Sequence, residues 1–193
     1  MKIKIIAVSL FLSLLLAGCS SSEKRKVDKI FTTKDYAALT YCMGLSYSAR
    51  GIAAHKLKGT SIDDVRKTIL KDASTKSRNF ALKLIERVYK EEVKSLWEYS
   101  VGFFKGCSNN VAKLYEPHTK YATYCLMNSF IGDTAYSFKV KEHDKEKAYK
   151  YFEKFRGQTP RTIIDNVYDK AEDRRSARLK PWRGCMASRV IKD

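Results

Sequence analysis

The sequence predicts an all-α protein of about six helices, in two tandem three-helix modules each closed by one disulfide. Three observations carry this expectation. Beyond residue 32 apolar side chains recur at helical spacing, and no sustained alternating stretch marks a strand. Of only three prolines, two fall at expected helix boundaries. The chain also repeats itself. Thr40-Tyr41-Cys42 returns as Thr123-Tyr124-Cys125, Val88-Tyr89 as Val167-Tyr168, and Gly106-Cys107 as Gly184-Cys185, in the same order at offsets of 83, 79 and 78.

In the first module, residues 33–112, Thr33 is placed to cap a helix carrying Tyr36, Leu39, Met43, Tyr47 and Ala54, which ends near Lys58 with Gly59 beyond it. Ser61 and Asp64 have capping-box spacing and open a shorter helix with Val65, Ile69 and Leu70. One longer helix then carries Phe80, Leu84, Val88, Leu96 and Phe103, stopping by Gly106. In the second module, residues 113–193, Thr119 or Thr123 opens a helix running to about Val140. Asp144 opens the next, with Ala148, Phe152 and Phe155 on it and Gly157 past its end. Thr159-Pro160 starts the last, which bears Ile163, Ile164, Val167 and Tyr168 and is expected to end at Pro181.

The N-terminus is of a different kind. Lys2 and Lys4 precede an apolar run, Ile5 to Leu16, broken only by Ser9 and Ser13. Twelve helical residues reach roughly 18 Å, short of the ~30 Å hydrocarbon core of a bilayer. The run is a secretory signal rather than a span. It ends in Leu16-Ala17-Gly18-Cys19, which resembles the lipobox of bacterial lipoproteins at all four positions. The resemblance implies diacylglyceryl transfer to the Cys19 thiol, cleavage between Gly18 and Cys19 by a lipoprotein signal peptidase, and acylation of the new amino terminus, with palmitate among the chains. Residues 1–18 are then the signal peptide, and 19–32 the lipidated cysteine and a polar tether. Several acyl chains anchor stably where one would be marginal. Ser20, rather than aspartate, implies sorting to the outer membrane, facing the periplasm. No cofactor is expected beyond the covalent lipid on Cys19.

Export places Cys42, Cys107, Cys125 and Cys185 in an oxidising compartment, where an even number of cysteines reads as disulfides. Composition cannot choose among the three possible pairings. The repeat favours Cys42–Cys107 with Cys125–Cys185, each stapling its own module; Cys42–Cys125 with Cys107–Cys185 would instead tie the modules together. Trp97 and Trp182 are expected to pack on the disulfides.

Cleavage removes Lys2 and Lys4 and no acidic residue from a chain of net charge +17. On an exported protein that charge points away from nucleic acid. It points to anionic lipid, lipopolysaccharide, peptidoglycan carboxylates or an acidic protein, or simply to solvated helix faces.

Residues with catalytic chemistry are scarce. His55, His118 and His143 lack metal-ligand spacing. No nucleophile elbow or phosphate loop occurs, and with four cysteines oxidised and one acylated no thiol is left as nucleophile. Glu91-Glu92 and Asp63-Asp64 are adjacent, so each pair diverges on a helix. Tyr41, Tyr47, Tyr89, Tyr99, Tyr124 and Tyr168 lie in helices, where rigid rings serve a core or a binding face.

Three functions are expected to compete. The first is a non-enzymatic binding lipoprotein. Its Tyr-Cys and Gly-Cys frame is similar to that of disulfide-bonded helical periplasmic immunity proteins that block type VI secretion amidases, although no inhibitory motif carries over. The second is an envelope-maintenance protein binding peptidoglycan or lipopolysaccharide through its basic surface. The third is a cell-wall hydrolase with paired carboxylates across a cleft between the modules.

Overall fold

The computed structural model describes residues 30–71, 74–155 and 159–191. Gly18, Cys19, the signal run and Gly157 lie outside the described residues. Among the described residues the regular secondary structure is helical apart from an isolated parallel bridge between Phe31 and Val190. Eight α-helices form rather than six: α1 Thr33–Leu57, α2 Ile62–Leu70, α3 Thr75–Lys90, α4 Leu96–Cys107, α5 His118–Lys139, α6 Lys145–Tyr151, α7 Thr159–Lys170 and α8 Arg174–Ala187. A π-helical turn, Ser108–Ala112, continues α4.

The extra helices come from two breaks. The long helix expected through Phe80 and Phe103 ends at Lys90 and restarts where Ser95 caps α4, its side chain accepting the Glu98 N–H. The last expected helix ends at Lys170 and restarts at Asp173, which forms a capping box with Ser176. Each break turns the chain so that both new helices reach the core. Pro181 does not end a helix. It lies inside α8, where its missing N–H leaves the Ala177 carbonyl without its helical donor. That carbonyl faces Gly132 of α5, where a Cβ would stand 2.1 Å from the Ala177 oxygen. Gly132 is therefore what lets α5 and α8 meet this closely. At the start of the chain the cap lies one residue before the expected one. Thr32 accepts the Asp35 N–H, and the Asp35 carboxylate accepts the Thr32 N–H.

The halves match helix for helix, and their bonds match too. Ser61 and Asp144, 83 residues apart, cap α2 and α6. Tyr89 OH donates to the Thr60 carbonyl at 2.7 Å, and Tyr168 OH to His143 at 2.8 Å. The Lys56 ammonium caps the end of α3 through the Val88 and Tyr89 carbonyls, and Lys139 caps α7 through Val167 and Ala171. Ser46 Oγ ties α1 to the Ser100 carbonyl of α4 at 2.8 Å, and Ser129 Oγ ties α5 to Arg178 of α8 at 2.9 Å. The disulfides are Cys42–Cys107 and Cys125–Cys185, one per half. Their sequence separations of 65 and 60 residues imply roughly 4 kcal/mol of loop-closure stabilisation each.

Each half buries its own apolar cluster, around Ile52, Val65, Ile85 and Val88 in one and Ile131, Ala148, Ile164 and Val167 in the other. A third cluster belongs to both. It joins Phe31, Leu39, Cys42 and Phe104 to Cys125, Leu126, Trp182 and Met186. Equivalent residues of the two halves meet there. The Tyr47 and Phe130 rings lie 4.7 Å apart, and those of Phe104 and Trp182 6.0 Å apart. Contact between equivalent positions is the signature of an approximate two-fold relation. Trp182 is fully buried in this cluster beside Cys42 and Cys125, and its Nε1 donates to Thr40 Oγ1 at 2.9 Å. Trp97 departs from expectation. It is part-exposed and packs edge-on against Phe130 rather than on a disulfide.

Candidate functional site

The polar residues singled out from the sequence are dispersed. His55 lies in the last turn of α1, His118 packs on Phe31, and His143 Nε2 sits 3.1 Å from the Lys147 ammonium. Among the described residues no group of three His, Cys, Asp or Glu side chains could hold a metal. Glu91 accepts from Arg87 and from the Tyr99 hydroxyl. Burial alone would raise its pKa, but these two bonds outweigh it and hold the carboxyl below its usual range. Asp63 pairs with Arg66, and Asp64 serves the start of α2. Of the tyrosines, Tyr47 is buried at the seam, with its pKa raised chiefly by desolvation. The repeat-related Tyr41 and Tyr124 are 52 and 45 % exposed.

The seam between the halves holds a charge cluster that sequence spacing did not bring out. Asp133 on α5 is 5 % exposed. It accepts from Arg174 Nε at 2.7 Å and from Arg178 Nε at 2.6 Å, with the Arg50 guanidinium 3.8 Å away. Desolvation raises its pKa, and the arginine hydrogen bonds more than reverse that, so the carboxyl titrates below the ordinary aspartate range. Arg178 also lies over the Tyr47 ring at 4.2 Å, and Arg50 over Phe130 at 4.6 Å. Arg50 and Asp133 occupy equivalent positions of the repeat, so opposite charges meet where identical halves would place like ones. Three cations saturate this carboxylate, which gives it the chemistry of a clamp rather than of a general acid or base.

Open concave surface elsewhere includes two grooves that the repeat relates. The larger, about 550 Å³, runs between α5, α7 and α8. The smaller, about 320 Å³, runs between α1, α3 and α4. Gly106 and Cys107 line one, and Gly184 and Cys185 the other. The difference in size has a residue-level cause. Leu45, Phe80, Arg87 and Phe103 partly fill the first-half groove, where the second half has Asn128, Thr159, Asn166 and Pro181. The second groove has an apolar floor of Ile163, Val167 and Ala177, with Lys170 and Lys180 among its lining side chains and no acidic residue.

Asn128 is the unusual residue of this groove. It is 6 % exposed, and its carboxamide makes no hydrogen bond with any described residue. Packing does not require it, because the equivalent position carries leucine. A polar residue among helical core positions is the one sequence signal that could have marked the site, since Asn128 follows Cys125 on the same helix face.

No family model, no curated protein and no solved structure matches the chain.

Proposed function

We propose that the protein is a lipid-anchored envelope lipoprotein, acylated on Cys19 and held at the outer membrane facing the periplasm, where it binds a protein partner without catalysing a reaction. An immunity or inhibitor role is the form of this reading that its disulfide-stapled helical frame resembles. The observation that carries it is the joint occurrence of the Leu16-Ala17-Gly18-Cys19 motif and two paired-cysteine staples, which persist in an exported protein and are rare in the cytosol. Among the described residues no helix is long and apolar enough to cross a membrane, so anchorage in this reading rests on the lipid. The test is metabolic labelling with radioactive palmitate, followed by fractionation of the envelope. The wild-type chain is expected to carry label and sediment with outer membranes. Cys19→Ser should lose both properties, and label retained by that variant would refute the proposal.

The net charge of +17 favours a second reading, adhesion of the basic surface to peptidoglycan or lipopolysaccharide. It predicts binding to purified sacculi or lipid A vesicles that weakens as salt screens it. Sedimentation with sacculi that is absent, or indifferent to salt, removes it.

A further inference from the structure

We propose that the groove between α5, α7 and α8 is the ligand site of this protein, and that it takes an acidic peptide segment of the partner. In this arrangement Asn128 hydrogen-bonds a peptide amide, while Lys170 and Lys180 receive carboxylates. The inference rests on the reading of the chain as a binding protein and names the site and the chemistry of its partner.

Two independent observations carry it. The first is the internal comparison between the halves. The repeat builds the same groove twice, and in the first half Leu45, Phe80 and Phe103 narrow it with apolar side chains. In the second half Asn128, Thr159 and Pro181 stand at those places, widening it to about 550 Å³, within the roughly 300–1,000 Å³ of ligand sites. The second is Asn128 itself, more than nine-tenths buried, without a hydrogen-bond partner among the described residues, and lining the groove. A carboxamide offers a donor pair and an acceptor, which matches the N–H and C=O of a peptide unit. Asn166 beside it spends its amide nitrogen on the Thr162 carbonyl and keeps its oxygen as an acceptor.

The chemistry of the lining also discriminates among occupants. An acyl chain laid against Asn128 would leave that amide unpaired next to methylenes, which is unfavourable. Sugar rings stack on aromatic faces, and no aromatic residue lines this groove. The apolar floor of Ile163, Val167 and Ala177 accepts side chains of a peptide, and lysines unopposed by acids in the lining select negative ones.

The experiment pans a random heptapeptide phage library on the full oxidised chain in mild detergent. Synthetic copies of the enriched peptides are then titrated against variants. Enrichment of Asp- and Glu-containing peptides is expected, with binding weakened at least about tenfold by Asn128→Leu and by Lys180→Glu, and unchanged by Leu45→Asn in the other groove. Asn128→Leu should fold without loss of melting temperature, because leucine already fills that position of the repeat. A lowered melting temperature would make Asn128 a structural residue and overturn the assignment. Peptides that bind regardless of Asn128 overturn the groove and leave the binding-protein reading standing. No enrichment, or Asn128-dependent binding of anionic vesicles or sacculi instead, overturns the peptide assignment.

Discussion

A carboxylate withdrawn from water must be met by charge or by hydrogen bonds, and Asp133 is met by three guanidinium groups drawn from α1 and α8. Its folded pKa is depressed, so its contribution to stability has a definite pH window. An unfolded aspartate titrates near pH 3.9. Above that value both states are ionised and the contribution is whole. As pH falls through the lower folded pKa, protonation removes it. Asp133→Asn is therefore expected to cost about 2 kcal/mol near neutral pH, less than a fully buried pair because Arg174 is half exposed. That deficit should shrink as melting is followed down to about pH 2, and a deficit that stays constant would show that the charge is not what Asp133 supplies.

At the scale of elements, the contact between α5 and α8 depends on an exchange of backbone features. Pro181 frees the Ala177 carbonyl, and Gly132 supplies the only side-chain size that can sit against it. Gly132→Ala, harmless on helix propensity grounds, is expected to destabilise by about 2 kcal/mol through overpacking, measured by chemical denaturation. The same substitution should also perturb the neighbouring groove, which Pro181 and Ala177 line. The N-caps follow simpler rules. Ser61, Ser95, Asp144 and Asp173 each accept the N–H three residues on, and each fixes where the chain restarts as helix.

Over the whole molecule, the shared cluster makes the halves interdependent. Phe104 and Trp182 touch across the seam, and Phe31 at one end of the described chain pairs with Val190 at the other. Residues 113–193 expressed alone, with Cys125–Cys185 formed, are expected to lack a cooperative thermal transition, because Leu126, Trp182 and Met186 would lose their partners to water. A sharp calorimetric transition for that fragment would contradict this.

Much of this was legible in the residues themselves. Helical periodicity and the paired Tyr-Cys and Gly-Cys motifs pointed to the all-α class and the repeat, and the repeat favoured the disulfide pairing that the fold contains, because each follows from local pattern or from equivalence along the chain. Ser95-x-x-Glu98 also carried the signature of a helix start, yet the apolar stripe from Phe80 to Phe103 continued at helical spacing across it and concealed the break. Pro181 read as a terminator because local rules see only its missing N–H, whereas the packing of α8 on Gly132 outweighs that loss. Asp133, Arg174 and Arg178 are brought together by the meeting of α5 and α8, more than forty positions apart in sequence. Asn128 likewise becomes distinctive only once the fold sets it in a groove wall, largely buried and with no hydrogen-bond partner among the described residues. Local sequence determines where helices begin and which cysteines correspond; which polar groups are left to act is decided by burial, and burial exists only in the assembled fold.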